Sequence, residues 1–288
     1  MFTRSDAEIF VPDGLAPEAA LARTTHLAVG AHQDDIEFMA LQGVLDCFGR
    51  TDRWFCGAVV TDGAGSPRSG PYADVTDVGM MAIRRAEQKK AAVVGEYGAC
   101  VLLSHPSGRV KDPQETAVVE DLRRLLRATR PDVIYTHNPA DKHDTHVATF
   151  LRLLAALRSL PMDERPRAFY GCEVWRALDW LNDDEKATAD VGRRPNLGAA
   201  LSSVYDSQIA GGKRYDAAVA GRRLANATFL ESHAVDATDA LAYMIDLSPL
   251  LADDALDPAA FISAAIRRFE DEVRGRIGRL VAPASRME

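Results

Sequence analysis

The alternation of short apolar runs with amphipathic stretches is the feature that most constrains how this 288-residue chain can fold. Apolar runs at 26–30, 55–60, 99–104 and 132–136 are separated by segments with helical periodicity. Continuously apolar strands are typical of parallel sheets that are buried on both faces. Because parallel strands need crossover connections, we predict a Rossmann-like, doubly wound α/β core with a mostly parallel sheet and helices on both faces.

Boundary signals are clearest for the helix between the third and fourth of these strands. Asp112 is the predicted N-cap, because Pro113 suits the first turn and Glu115 follows three residues after the cap. Pro131 cannot continue a helix, so this helix should end at Arg130. In the second half, we predict a strand over 168–178, a long polar loop over 182–198, and helices over 212–229 and 261–280.

Charge and hydropathy exclude several classes of protein. The formal net charge is −8 and no long Lys/Arg run is present, which argues against a partner that is a nucleic acid or a membrane surface. No stretch reaches the roughly 18 apolar residues that a membrane span needs, and no signal-peptide core is visible. The four cysteines are widely spaced among apolar neighbours, as in reduced core residues, so we expect a cytoplasmic protein.

Five of the seven histidines follow the ends of predicted strands. His32 follows the first strand, His105 follows the third, and His137, His143 and His146 follow the fourth. In doubly wound sheets, ligands bind outside the carboxyl ends of the strands, near the switch point between the two halves. This grouping therefore predicts a ligand site at that edge.

Two of these segments carry the spacing of a metal site. His32 and Asp35 are three residues apart, and so are His143 and His146, so each pair can share one face of a first helical turn. Two histidines and one carboxylate that leave a position open to water form a catalytic metal arrangement, and zinc lowers the pKa of that water to about 7. Asp34 could then accept the proton of the water.

In that interpretation, His143 could stabilise or protonate the tetrahedral intermediate. The simpler alternative is helix capping, by Asp34 or Asp35 in the first segment and by Asp144 or Thr145 in the second. Both interpretations remain open at this point.

Several motifs resemble one known family. His32-Gln-Asp-Asp35 is similar to the His-Pro-Asp-Asp signature of the PIG-L/LmbE-like N-acetylglucosamine deacetylases. His143-Asp-Thr-His146 matches the two histidines of their second motif, His-Pro-Asp-His. Arg84-Arg-Ala-Glu87 resembles the family's Arg-x-x-Glu helix, and Thr61-Asp-Gly63 also fits. The resemblance covers about residues 25–160, with the motifs in the family's order.

The resemblance implies a zinc-dependent hydrolase that removes an N-acyl group, an acetyl group in the family, from an amino sugar or a related small polar molecule. It implies zinc bound by His32, Asp35 and His146, with zinc-bound water as the nucleophile. It further implies Asp34 as general base and His143 as the group that faces the oxyanion or the leaving amine.

Other residues are candidates for supporting roles. Arg84, Asp62 and His105 are predicted to contact the substrate, and His137 is predicted to orient a metal ligand from behind. The dipeptide Asp144-Thr145 replaces the family's Pro-Asp, so Asp141 or Asp144 is expected to replace the missing carboxylate. His105-Pro-Ser-Gly108 lacks an Asp that often contacts the sugar in the family. This difference argues against N-acetylglucosamine as the substrate more than it argues against the hydrolytic reaction.

Three other functions stay open. Two histidines and a carboxylate also bind non-haem iron. A nucleotide-binding protein is a second alternative, although the chain lacks Gly-x-Gly-x-x-Gly and a Walker A motif. The third is a member of the same fold that binds metal and ligand without catalysis.

The predicted organisation is a core over 1–160 that contains the metal site and a smaller C-terminal lobe over 161–288 that completes the substrate pocket. Residues 205–215 could line that pocket, and the loop over 182–198 could close over it. An apolar stripe along 261–280 should pack on the body of the protein, but it also permits a homo-oligomer.

Overall fold

A single eight-stranded sheet organises the computed structural model, which describes residues 2–281. The strand order is β1-β4-β3-β2-β5-β6-β8-β7. The strands are β1 (Glu8–Phe10), β2 (His26–Gly30), β3 (Phe55–Thr61), β4 (Ala99–His105), β5 (Val133–His137), β6 (Ala168–Cys172), β7 (Lys186–Asp190) and β8 (Leu241–Asp246).

The central strands β4, β3, β2, β5 and β6 are parallel, whereas β1, β7 and β8 add antiparallel edges. The predicted α/β fold with a mostly parallel sheet is therefore confirmed. The switch point lies between β2 and β5, because the chain proceeds outward from β2 in one direction and from β5 in the other. Loops that follow these two strands consequently meet at one edge of the sheet.

Helices cover both faces of the sheet, as predicted. One apolar core lies beneath α1, α6, α7, α11 and α12, and a second core lies beneath α2, α3, α4 and α8. The helices of the described chain are α1 (Pro17–Ala22), α2 (Asp35–Met39), α3 (Leu41–Cys47), α4 (Asp77–Val94), α5 (Ser107–Lys111), α6 (Ala117–Thr129), α7 (Asp144–Arg158), α8 (Pro195–Ser203), α9 (Asp206–Ile209), α10 (Tyr215–Phe229), α11 (Pro249–Ala252) and α12 (Pro258–Leu280).

Three local predictions were wrong, at least in part. Helix α6 begins at Ala117, because Asp112 ends α5 and its carboxylate accepts a hydrogen bond from the backbone N–H of Gln114 (2.9 Å) within a turn. The predicted end of α6 was correct, since Arg130 adopts a left-handed conformation (φ 42°) before Pro131.

The predicted loop over 182–198 instead contains a 3₁₀ turn (Asp183–Glu185), strand β7 and the beginning of α8. Strand β7 is polar because it lies at the sheet edge, and it pairs with β8, about fifty residues further along the chain. The preceding strand, predicted over 168–178, ends at Cys172.

The apolar stripe of α12 is buried only near its beginning. Ile262 and Ala265 pack into a core, whereas Ile277 is 57% exposed and Leu280 is 81% exposed. Packing on the body of the protein therefore explains the apolar residues in the first turns of α12. The homo-oligomer stays a prediction. The division into a core over 1–160 and a C-terminal lobe over 161–288 also stays a prediction. Strands β6, β7 and β8 of the predicted lobe extend the sheet that the predicted core forms. None of the described helices is long and apolar enough to span a membrane.

The close packing of α3 on the sheet makes a prediction for Gly43. A methyl group at this position would lie 2.5 Å from Cε2 of Tyr135 and 2.9 Å from Cε2 of Phe55. Gly→Ala inside a helix normally stabilises by about 0.5–1 kcal/mol, but this clash should reverse the sign, to a loss of about 1–3 kcal/mol. Urea unfolding would measure it.

The matched control is Gly221→Ala in α10, where no atom lies within 4 Å of the added methyl group. This control should stabilise the protein or leave it unchanged. Equal stabilisation by both substitutions would contradict the close packing of α3 on β3 and β5.

Candidate metal centre and cleft

Two loops at the switch point place the candidate site residues. The chain leaves β2 at Gly30 and enters α2 at Asp35, and it leaves β5 at His137 and enters α7 just after His143. Strands β2 and β5 are paired neighbours in the sheet, so these two loops emerge side by side.

Three donor side chains from these loops form a compact triangle. Nδ1 of His32 lies 3.2 Å from Nε2 of His146 and 3.3 Å from Oδ2 of Asp35. Nε2 of His146 lies 3.3 Å from the other carboxylate oxygen of Asp35. The ligand atoms of a tetrahedral zinc, at metal distances of about 2.0–2.2 Å, lie about 3.3–3.6 Å apart. The three side chains therefore fit one face of a zinc coordination shell.

Neighbouring groups hold this triangle in place. The backbone N–H of His32 donates to Oδ2 of Asp35 (2.7 Å), and the ring of His146 stacks between His137 (3.9 Å between centroids) and His143 (4.5 Å). Burial opposes ionisation of Asp35, but the adjacent imidazoles of His146 and His137 hold its pKa well below the usual range. Asp35 is therefore an anion, as a metal ligand must be.

The predicted supporting histidine, His137, lies directly behind the triangle. Its Nε2 accepts a hydrogen bond from the backbone N–H of Ala31 (2.9 Å), so that nitrogen is engaged by protein. His137, Asp141 and His146 also lie close enough to form a second donor group. Of the two groups, only the triangle around His32 includes side chains that line the cleft, His32 and Asp35, so access favours the triangle as the candidate metal site.

Of the two candidate replacements for the missing carboxylate, Asp141 lies at the site and Asp144 does not. Oδ2 of Asp141 is 3.6 Å from Nδ1 of His146, on the ring edge opposite the triangle. Its two oxygens accept hydrogen bonds from the backbone N–H groups of His143 (2.9 Å) and Trp175 (3.1 Å). Asp144 is exposed at the first turn of α7. Asp141 thus organises the loop that carries His143 and His146.

Asp34 lies beside the triangle in an unusual backbone conformation. Its φ of 95° falls in a region that residues with a side chain rarely adopt. Its backbone N–H donates to Oε1 of Gln88 (3.3 Å), and its carboxylate accepts from Nη2 of Arg84 (2.7 Å). Burial raises the pKa of Asp34, with Arg84 opposing the rise and Asp35 adding to it. Helix α4 thus holds a strained loop that presents one buried carboxyl group to the cleft.

Arg84 is enclosed by protein groups. Its side chain is 1% exposed, and besides Asp34 it contacts Glu87 (3.0 Å) and the carbonyl oxygen of Gln33. Glu87 in turn accepts hydrogen bonds from the backbone N–H and the hydroxyl of Ser207 (2.7 and 2.8 Å). This geometry supports a role in positioning Asp34, whereas substrate contact by Arg84 stays a prediction.

A buried network below Asp34 was not predicted from the sequence. The carboxylate of Glu37 accepts hydrogen bonds from the hydroxyl groups of Tyr97 (2.6 Å) and Tyr205 and from Nε2 of Gln88 (2.9 Å). Burial raises the pKa of Glu37, with the hydrogen bonds opposing the rise. Tyr205 precedes α9, so this network connects the second half of the chain to the loop that carries Asp34.

The triangle and Asp34 open onto a cleft of about 720 Å³, within the usual size of a small-molecule site. His32, Asp34, Asp35 and His143 line it. The structure does not bring the predicted substrate contacts Asp62 and His105 to the cleft. The carboxylate of Asp62 accepts from the backbone N–H of Ala64 (3.0 Å), and His105 is fully buried with Nε2 3.0 Å from Asp121.

An aromatic corner at the cleft was also missed from the sequence. The ring of Trp175 lies 6.3 Å from that of His143 and meets Tyr215 edge to face at 5.9 Å. Lys213 and Tyr215, from the end of the glycine-rich run over 205–215, line the cleft. None of residues 182–198 lines it. An aromatic residue shortly after a buried strand was the available signal for Trp175, but it is a weak one.

Comparison with known proteins agrees with the motifs. Residues 27–157 match the sequence profile described as PIG-L, GlcNAc-PI de-N-acetylase. This range contains both histidine motifs, all three side chains of the donor triangle, and Asp34. These residues belong to the PIG-L family. No curated protein sequence matches the chain.

Solved structures share the fold of this chain at low sequence identity. A conserved protein from Thermus thermophilus is 18% identical, with a TM-score of 0.59 over 81% of this chain and 99% of its own. N,N'-diacetylchitobiose deacetylase from Pyrococcus horikoshii is 15% identical, with a TM-score of 0.60 over 80% of this chain and 86% of its own. The 4-carboxy-2-hydroxymuconate hydratase GalB from Pseudomonas putida is 14% identical, with a TM-score of 0.56 over 78% of this chain and 96% of its own. Because a deacetylase and a hydratase share this fold, the site must decide the reaction.

Proposed function

We propose that this protein is a zinc-dependent deacetylase that removes an N-acetyl group from an amino sugar or a related small polar molecule. The observation that carries the proposal is the donor triangle of His32, Asp35 and His146 with the carboxyl group of Asp34 beside it. The match to the PIG-L profile and the deacetylases among the structural neighbours support the same reaction class.

The side chains at the cleft suggest a division of labour. When bound, zinc supplies Lewis-acid polarisation of the acyl carbonyl and lowers the pKa of a bound water. Asp34 accepts the proton of the attacking water, since its carboxyl group faces the cleft beside the triangle. Arg84 and Gln88 fix Asp34 in place, so little reorganisation is needed when the proton moves.

His143 is the group placed to act on the acyl oxygen or on the leaving nitrogen. It lines the cleft, and its ring lies 5.0 Å from that of His32 between centroids. Its Nδ1 is buried and has no hydrogen-bond partner within residues 2–281, so no protein group fixes the tautomer of this imidazole through that nitrogen. Burial and the neighbouring His32 lower the pKa of His143, which favours the neutral imidazole in the resting protein.

The part of the chain after residue 160 completes the substrate pocket in this proposal. Trp175, Lys213 and Tyr215, all from this part of the chain, line the cleft together with residues of the loops that follow β2 and β5. The acyl group would be held at the triangle, and the rest of the substrate would extend toward Trp175.

Metal content and amine release test this proposal together. The purified protein should contain about one zinc per chain by elemental analysis and should release free amine from N-acetylated amino sugars. His146→Ala should lose both the zinc and the activity, because it removes one of three protein ligands. His233→Ala is the matched control, since His233 is an exposed histidine outside the cleft.

The possible outcomes separate the alternatives. Zinc that is retained by His146→Ala would show that the triangle is not the metal site. Zinc that is lost in this variant, without amine release by the wild-type protein, would favour the non-catalytic binding protein. Iron in place of zinc, with activity that depends on oxygen, would favour the non-haem iron enzyme.

A further inference from the structure

Lysines at the cleft are not matched by carboxylates. Lys111, Lys142 and Lys213 line the cleft with exposed side chains, and none forms an ion pair with any of residues 2–281. The whole chain carries a net charge of −8, so this cationic surface is local and opposes the overall charge.

The three carboxylates that line the cleft are already engaged. Asp35 belongs to the donor triangle, and Asp34 is paired with Arg84 at 2.7 Å. Glu173 accepts hydrogen bonds from the backbone N–H of Leu178 (2.7 Å) and from the side chain of Asn226 (2.8 Å). None of these three carboxylates forms an ion pair with Lys111, Lys142 or Lys213.

Two of the lysines converge on one aromatic ring. Nζ of Lys213 lies 5.3 Å from the ring centroid of Trp175, and Nζ of Lys142 lies 6.0 Å from it. Each ammonium group has three N–H donors, and neither donates a hydrogen bond to the described chain. The two ammonium groups thus lie near the same tryptophan ring, and their N–H groups remain available to an anionic ligand.

This pair of lysines lies close to the reacting groups. Trp175 is 6.3 Å from the ring of His143, which is itself 5.0 Å from the ring of His32. The loops are held together there, since Asp141 accepts from the backbone N–H groups of both His143 and Trp175. An acyl group at the triangle would therefore place the far end of a small substrate against Lys142 and Lys213.

We propose that Lys142 and Lys213, against the ring of Trp175, form a subsite for an oxyanion of the substrate. The substrate class is then an N-acylated amino sugar whose distal end carries a phosphate or carboxylate group. This inference rests on the proposed function for the reaction, but the subsite itself depends only on the cationic part of the cleft.

Competing substrates test the subsite in the zinc-loaded protein. Amine release is measured for three sugars: N-acetylglucosamine, which carries no charge, N-acetylglucosamine 6-phosphate and N-acetylneuraminic acid. The last two carry a phosphate and a carboxylate across the sugar ring from the N-acetyl group. The wild-type protein should have the higher kcat/KM for at least one of the anions. The double variant Lys142→Gln, Lys213→Gln should lower that preference about 10-fold or more, through KM, and added salt should weaken it in the wild type.

Lys90→Gln is the matched control, because Lys90 is an exposed lysine of α4 that does not line the cleft. This substitution removes one positive charge, as each substitution of the double variant does. It should leave the preference for the anionic sugar within about two-fold of wild type. The subsite is overturned if the wild type prefers neither anion, or if the double variant keeps the wild-type preference.

A binding measurement separates failure of the subsite from failure of the proposed function. Calorimetric titration with glucosamine 6-phosphate and with glucosamine needs no hydrolysis. If no N-acetylated sugar is hydrolysed, the deacetylase proposal fails. Tighter binding of glucosamine 6-phosphate that requires Lys142 and Lys213 would still support the subsite. The subsite is overturned if the wild type binds the two sugars equally, or if the double variant binds glucosamine 6-phosphate as tightly as the wild type does.

Discussion

Asp34→Asn is expected to lower kcat for amine release by about 10²–10⁴-fold while zinc stays bound. Asparagine has nearly the same shape as aspartate, but its amide cannot accept the proton of the attacking water. The donor triangle does not include Asp34, so the metal content should remain that of the wild-type protein. Amine release and elemental analysis of the same preparation would measure both quantities.

The control for this substitution is Asp144→Asn. Asp144 is an exposed carboxylate beside His143 in the first turn of α7, so its removal changes the local charge without touching Asp34. Its kcat should stay within about three-fold of wild type, as expected for an exposed charge. An Asp34→Asn protein that binds zinc and keeps the wild-type kcat would show that another group accepts the proton.

The donor triangle could be predicted because its spacing is local and its assembly follows from topology. His32 and Asp35 lie on one short connection, and His146 lies on the connection after a neighbouring strand. Buried apolar runs identify those strands, and a doubly wound sheet brings their carboxyl ends together. These observations predicted the grouping, and the resemblance to the PIG-L family then selected His32, Asp35 and His146 within it.

The cleft walls could not be predicted in the same way. Trp175 lies in an irregular segment after β6, and its neighbour Tyr215 is forty residues later in the chain. Their meeting depends on long-range pairing of β6 with β8 and on the packing of α10, which no local pattern reveals. Strand β7 was missed for the same reason, since its polar edge sequence resembles a loop.

Arg84 shows how a correct motif can leave a role open. The helix position of Arg84 alone favoured an ion pair with Glu87 or a solvated face, and the resemblance to the family gave substrate contact about equal weight. The structure adds Asp34, the carbonyl oxygen of Gln33 and the hydroxyl group of Ser207 around the same guanidinium group. These partners come from distant parts of the chain, so the sequence contained no sign that Arg84 and Asp34 would meet.

Arg84→Met is expected to lower the free energy of unfolding by about 3–5 kcal/mol. The substitution removes a guanidinium group that is 1% exposed and leaves the carboxylates of Asp34 and Glu87 without their cation. Breaking a buried ion pair from one side is costly because an uncompensated charge stays in a poorly solvated place. The free energy of unfolding of Arg84→Lys should fall between those of the wild type and Arg84→Met. One ammonium group cannot replace the forked guanidinium group that reaches both carboxylates.

Arg85→Met is the matched control, from the next position of the same helix. Arg85 pairs with Glu8 at 3.0 Å, but its side chain is 28% exposed, so its loss should cost at most about 1 kcal/mol. Urea unfolding of the three variants compares the two arginines directly. If Arg84→Met costs no more than Arg85→Met, the strained loop at Asp34 must be held by Gln88 and the backbone alone, and the positioning role of Arg84 would be wrong. If the larger loss is observed, stability and the placement of Asp34 depend on the same buried ion pair, which explains why an arginine is buried beside the cleft.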